Sequence, residues 1–182
     1  RFLRKPALQN NVLQLLTNSS TPRVFFYFDA AVNKCKFNNI LFEKNGLAGA
    51  MYITISNGSV LTPEFVNCTF ARNYFLPNIS ASNASAGLKF QNCAFFKNEN
   101  YHAHLFKQFS NGVHFDHCAF DTLDTGHLPT TVTLGSGCFQ SRDMQFQNAS
   151  DSLSNYRLQA CSPLIEAGSN AGIASSAKDL AG

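Results

Sequence analysis

Five histidines, His102, His104, His114, His117 and His127, crowd one stretch of the chain, interleaved with Asp116, Asp121 and Asp124. Imidazole titrates near neutrality and pairs readily with carboxylates, so this run has the residue types for a metal site or an acid–base pair. A second candidate is the evenly spaced thiol series Cys68, Cys93 and Cys118, with Cys35, Cys138 and Cys161 outside the series. The third is cationic. Lys44, Arg72 and Lys97 each stand immediately before an Asn.

Each candidate has a chemical requirement. Cleaving an acidic polysaccharide by β-elimination needs carboxylates that hold Ca²⁺ beside a Lys or Arg base, and hydrolysis needs two facing carboxylates. The chain has only 11 Asp and Glu, and none forms a tight cluster with Arg. Structural zinc wants C-x₂-C or comparable pairs, and none occurs. No metal or cofactor is therefore expected. The cations carry no such geometric demand, since a row of like charges needs only water or an anionic partner.

These residues are positioned by a repeat. "FVNCTFARN" (Phe65–Asn73) is written again as "FQNCAFFKN" (Phe90–Asn98), with "FNNILFEKN" (Phe37–Asn45) upstream and "FDHCAFDTL" (Phe115–Leu123) downstream. "SRDMQFQNA" (Ser141–Ala149) reads as a degenerate fifth copy. Aligned, they give one column of Ile40, Cys68, Cys93, Cys118 and Met144, and another, two residues later, of Phe42, Phe70, Phe95, Phe120 and Phe146. Residues i and i+2 share one face of a strand. Phe37, Phe65, Phe90 and Phe115 lie three residues before the first of these columns. That odd spacing requires a bend, at Asn39, Asn67, Asn92, His117 and Asp143, residue types that tolerate left-handed backbone or bond locally.

Strand, Asn bend and strand, repeated about every 25 residues, specify an all-β fold: a single-stranded right-handed parallel β-helix, a solenoid whose like residues stack about 4.8 Å apart. In that register the thiols are small buried hydrophobes, and parallel neighbours are poorly oriented for a disulfide. His117 fills the polar bend position, and His114 aligns with Lys89 and Glu64 as an exposed residue. Lys44, Arg72 and Lys97 form a basic stripe, broken by Thr122 in the next copy. The whole of 1–182 reads as one β-helix domain, the C-terminal part of a longer one, with the clearest repeats at 33–149 and a closing segment at 150–182.

The F-x-x-N motifs at Phe42–Asn45, Phe70–Asn73 and Phe95–Asn98, with "GAM" at Gly49–Met51, resemble the repeats of polymorphic outer-membrane adhesins and of pectin-lyase-like surface proteins. "YRLQACSPLIEAGSN…KDLAG" (Tyr156–Gly182) is similar to the closing segment of bacterial β-helix proteins of the choice-of-anchor group. The resemblance implies export to the extracellular space or outer cell surface, and an adhesive or structural role. It does not imply catalysis. The W-x-D-H and R-x-P-x-x-R stretches of pectate lyases are missing, as are the N-x-D, D-D and G-H-G motifs of polygalacturonases, for which "TGHL" at Thr125 offers an isolated G-H.

Composition narrows the partners. Charged residues are 14% of the chain, the net charge is +3 and no Lys/Arg block occurs, which argues against nucleic acid. No apolar run approaches the roughly 20 residues of a membrane-spanning helix. A start at Arg1 reads as a processed or excised chain, with any export signal outside it. N-x-S/T sequons at Asn18, Asn57, Asn67, Asn78, Asn83 and Asn148 are expected by chance in a chain so rich in Asn, Ser and Thr. The preferred expectation is a non-catalytic exported module that contacts acidic polysaccharide or a cell-surface glycan through Lys44, Arg72 and Lys97. The alternative is a carbohydrate-active enzyme, a polysaccharide lyase or glycosidase, centred on His102, His114, Asp116, His117 and His127.

Overall fold

The computed structural model describes residues 17–18, 21–22, 24–28, 36–43, 51–55, 62–73, 87–98, 112–123, 128, 130–149 and 155–169. Those residues are all-β, with parallel strands in stacked sheets. In chain order they form β1 (Thr17–Asn18), β2 (Thr21–Pro22), β3 (Val24–Phe28), β4 (Lys36–Asn38), β5 (Leu41–Glu43), β6 (Met51–Ile55), β7 (Glu64–Val66) and β8 (Thr69–Ala71). Then come β9 (Leu88–Gln91), β10 (Ala94–Phe96), β11 (Val113–Asp116), β12 (Ala119–Phe120), β13 (Val132–Leu134), β14 (Phe139–Gln140), β15 (Phe146–Asn148) and β16 (Asn155–Leu158).

Two five-stranded parallel sheets carry the repeat: β4-β7-β9-β11-β13 and β5-β8-β10-β12-β14. A further parallel pair, β3 with β6, runs from Val24 opposite Met51 to Phe28 opposite Ile55. One rung thus contributes a strand to each five-stranded sheet, and rung lies on rung in register, an arrangement compatible with a parallel β-helix.

The two strands of a rung are joined through one residue in left-handed backbone: Asn39 (φ 55°), Asn67 (53°), Asn92 (52°), His117 (50°) and, in the last rung, Gly137 (70°). Left-handed backbone is costly for most L-residues, and Asn and Gly bear it best. The bend does not interrupt the ladder between rungs. Asn39 N donates to Val66 O at 3.1 Å, Asn67 N to Gln91 O at 3.0 Å, Asn92 N to Asp116 O at 3.0 Å and His117 N to Ser136 O at 2.9 Å.

Register then builds the core. Phe37, Phe65, Phe90 and Phe115 stack with ring centroids 4.8, 5.2 and 5.0 Å apart. Phe42, Phe70, Phe95 and Phe120 stack at 4.8, 5.0 and 5.1 Å. The strand spacing imposes near-parallel rings along each column, and the columns meet edge to face, as at Phe65–Phe70 (5.6 Å, 68°), the geometry that ring quadrupoles favour. All eight rings are buried, with Cys68, Cys93 and Cys118 between the columns.

The fifth copy is corrected. The last rung is β13 and β14, not Ser141–Ala149, because Ala119 pairs with Phe139 and Phe120 with Gln140. Cys138, not Met144, follows Cys118 in the thiol column, and Gly137, not Asp143, is the bend. Met144 and Phe146 belong to a second apolar cluster with Ala71, Ala94, Phe96 and Ala119, joined by Tyr156, Leu158 and Leu164. The physical reason is the outer face of β8, β10 and β12, whose alanines and Phe96 need cover. The antiparallel hairpin β15–β16 supplies it, and its M-x-F spacing imitates the repeat.

Phe95 packs between Phe70 and Phe120 and is 3% exposed. Phe95→Ala is expected to cost about 3–5 kcal/mol, as for other buried aromatic truncations. Denaturant unfolding measures it, and an unchanged midpoint would show that the ring stack contributes no stability.

Candidate functional site

The outer face of the first sheet gathers the titratable residues into a line. Lys36 pairs in register with Glu64, Glu64 with Lys89, Lys89 with His114 and His114 with Thr133. His114 is exposed, as its alignment predicts. Asp116, two residues on, shares the face by strand alternation. Its Oδ1 accepts from Ser136 Oγ at 3.3 Å and lies 3.2 Å from His117 Nδ1, too poorly aligned with that nitrogen for a hydrogen bond.

His117 occupies the bend, and its ring lies against the next bend residue. A Cβ added at Gly137 would sit 2.4 Å from His117 Cδ2. The imidazole thus takes the space an Asn would use one rung later, and Gly137 is the residue that leaves it free. Asp116 and His117 are brought together, with His114 on the adjoining strand face. His102 and His127 lie outside the described residues, as do His104, Asp124 and Cys35. Among the described residues no three His, Cys, Asp or Glu side chains are grouped to hold a metal ion.

Lys44 also lies outside the described residues. Arg72 (φ 57°) and Lys97 (φ 49°) form a second left-handed bend column, after β8 and β10. Arg72 is half-buried, and its Nη2 donates to the carbonyl of Ala149, just beyond β15. Lys97 is exposed, its ammonium 5.2 Å from the Phe96 ring centroid, and its backbone N–H donates to Asp121 Oδ2 at 2.5 Å. Arg72 is thus part of the attachment of the C-terminal segment, and Lys97 presents its charge to solvent.

Two asparagine columns hold the bends. Asn92 Nδ2 donates to Asn67 Oδ1 at 3.1 Å. The Asn of F-x-x-N does more: Asn73, fully buried, donates from Nδ2 to Phe42 O (2.8 Å) and to Asn98 Oδ1 (3.1 Å), and Asn98 Nδ2 donates to Phe70 O (2.7 Å). Asn98 Oδ1 also accepts the Asn73 backbone N–H at 2.9 Å. The last Asn of the motif therefore ties each rung to the one before it. Asn92 also clamps the C-terminal segment like a strand partner, donating to Ser169 O at 2.7 Å and accepting from Ser169 N at 2.8 Å.

The thiols point at backbone carbonyls. Cys68 Sγ is 3.3 Å from Val66 O, Cys93 Sγ 3.3 Å from Gln91 O and Cys118 Sγ 3.3 Å from Asp116 O. Burial pushes the Cys93 thiol well above its ordinary range, so it stays protonated at neutral pH. No family model matches this sequence, and no curated protein or solved structure is significantly similar to it. No helix among the described residues is long and apolar enough to cross a membrane.

Two outcomes are expected. Cys68, Cys93 and Cys118 should resist a maleimide probe until the chain is denatured, whereas exposed Cys161 reacts at once; native labelling of Cys93 would break the core assignment. Asn92→Ala removes three side-chain hydrogen bonds, of which two hold Ser169. It should cost about 1–3 kcal/mol and speed amide exchange selectively in residues 155–169, so exchange unchanged there would exclude the clamp.

Proposed function

We propose that this chain is a length of right-handed parallel β-helix from an exported or cell-surface protein, and that it acts without catalysis as a structural or adhesive module that contacts acidic glycans. Right-handedness follows from the strong preference of parallel crossovers for that hand. The reading is carried by one observation: the titratable side chains of the outer face are strung along the stacking axis, Lys36, Glu64, Lys89 and His114, one per rung. Acid–base catalysis asks for an acid, a base and an anchor around one substrate bond. A row along the stacking axis suits an extended polymer, whose anionic groups would lie against Lys36 and Lys89.

Lys97 is the cation of the basic column that supports contact with an acidic polysaccharide most directly, being exposed where Arg72 is engaged with Ala149. A rival reading, a polysaccharide lyase or glycosidase, draws on the Asp116–His117 pair at 3.2 Å. A glycan array followed by product analysis separates the two. Exposed ion pairs contribute about 0–1 kcal/mol each, so binding should be weak, fall with salt and weaken about two- to five-fold in Lys97→Glu. Shortened or unsaturated sugar products, lost on changing Asp116 or His117, would replace this reading with the enzymatic one.

A further inference from the structure

With Cys138 as its last member, the thiol column has an accessible end. We propose that Cys118 and Cys138 form a redox pair, which a small disulfide oxidant of the glutathione type converts to a disulfide that staples the last rung to its neighbour. Ala119 opposes Phe139 in parallel register and Phe139 N donates to Cys118 O at 3.0 Å, which makes Cys118 and Cys138, each just before its strand, neighbours. Strand spacing of about 4.8 Å falls inside the Cα window of about 4.4–6.8 Å that a disulfide needs. The proximity shows in their acidities, Cys118 raising the Cys138 thiol and Cys138 helping to lower that of Cys118.

In-register parallel neighbours must still draw their Cβ atoms together, to about 3.5–4.5 Å. An interior thiol cannot yield. Cys93 lies between two rungs, whose ladder bonds run from Ala94 N to Cys68 O and from Ala119 N to Cys93 O. The last rung is different. β14 ends its sheet and is held on one side only, by bonds such as Phe139 N to Cys118 O at 3.0 Å; Gly135, Ser136 and Gly137 before it form an exposed turn, and Gly137 has φ 70°. The turn gives Cys138 the freedom to tilt towards Cys118. Exposure sets the order of events, because Cys118 is fully buried and Cys138 half-buried.

The oxidant therefore meets Cys138 first. The proton that Cys138 holds within the pair passes to the Cys118 sulfur as the Cys138 sulfur attacks one sulfur of the small disulfide; a mixed disulfide forms and one small thiolate leaves. Cys118, deprotonated in turn, attacks the Cys138 sulfur and expels the second. The two protons lost by the protein thiols end on the two small thiols, so two protein thiols are oxidised as one small disulfide is reduced.

The test is to incubate the folded chain with oxidised glutathione, quench by alkylation, and digest at aspartate, which cuts between Cys118 and Cys138. The expected product is a Cys118–Cys138 cross-linked peptide pair lighter by two hydrogens and lost on reduction, with Cys68 and Cys93 still thiols and a raised melting midpoint. In Cys138→Ser, checked for its fold by circular dichroism, Cys118 should remain a thiol. A Cys138 that stops at the glutathione adduct, or a cross-link that instead joins Cys93 to a neighbour, would overturn the pairing.

Discussion

The bend between the paired strands turns on a single residue in left-handed backbone, and its effect is one of parity. Without it, residues three apart on a continuous strand point to opposite sides. With it, Phe65 and Cys68 share a core, and so do Phe90 and Cys93. Ten short strands thus become two sheets around one apolar interior. The bend also fixes register, because an in-register stack repeats the same unfavourable backbone at every rung and lets the rungs share its support. Asn67 and Asn92 share a side-chain hydrogen bond across that column. An Asn replaced by a residue unable to bond would keep the backbone cost and lose the compensation.

Register has a second consequence, in the polar groups that the turns bury. The strands of the repeat are short, so a large share of the backbone lies at bends rather than in ladders. The buried Asn73 accounts for this. It satisfies Phe42 O one rung below it and meets Asn98 one rung above. A buried carbonyl without a partner costs about 1–3 kcal/mol, so the F-x-x-N asparagines offset a penalty that recurs at each turn. The stacked phenylalanines supply the burial, and the asparagine columns keep the turns from undoing it.

These features were legible in the sequence because a rung stacked on a rung keeps its length wherever the side loops keep theirs. The copies at Phe65, Phe90 and Phe115 share one loop length, and their columns align without gaps. From Cys118 to Cys138 the connection is shorter, which hid the last rung, and Met144 and Phe146 offered a false match at nearly the expected offset. Residues that act on a distant partner were not legible. Nothing near Arg72 indicates Ala149, nor anything near Asn92 indicates Ser169, each 77 residues away. Arg72 and Lys97 lie one rung apart, but which of the two stays in solvent depends on the hairpin that lies over β8, β10 and β12.

That hairpin divides the surface into two kinds of face. On the second sheet the outward residues are Ala71, Ala94, Phe96 and Ala119, closed over by Met144, Phe146 and Leu158. On the first, the outward column runs Lys36, Glu64, Lys89 and His114, with charge alternating over its first three members. A sheet face covered by its own chain resists edge and face association, and a charged one resists collapse onto other apolar surfaces. The charged face and the Lys97 corner thus stay uncovered by the hairpin. On the charged face the polar groups recur at the strand spacing. Recognition on such a surface depends on how many rungs are engaged. If the proposed contact with an acidic polymer holds, affinity would rise with the number of lysine-bearing rungs engaged, because each added contact comes at little further cost in ordering.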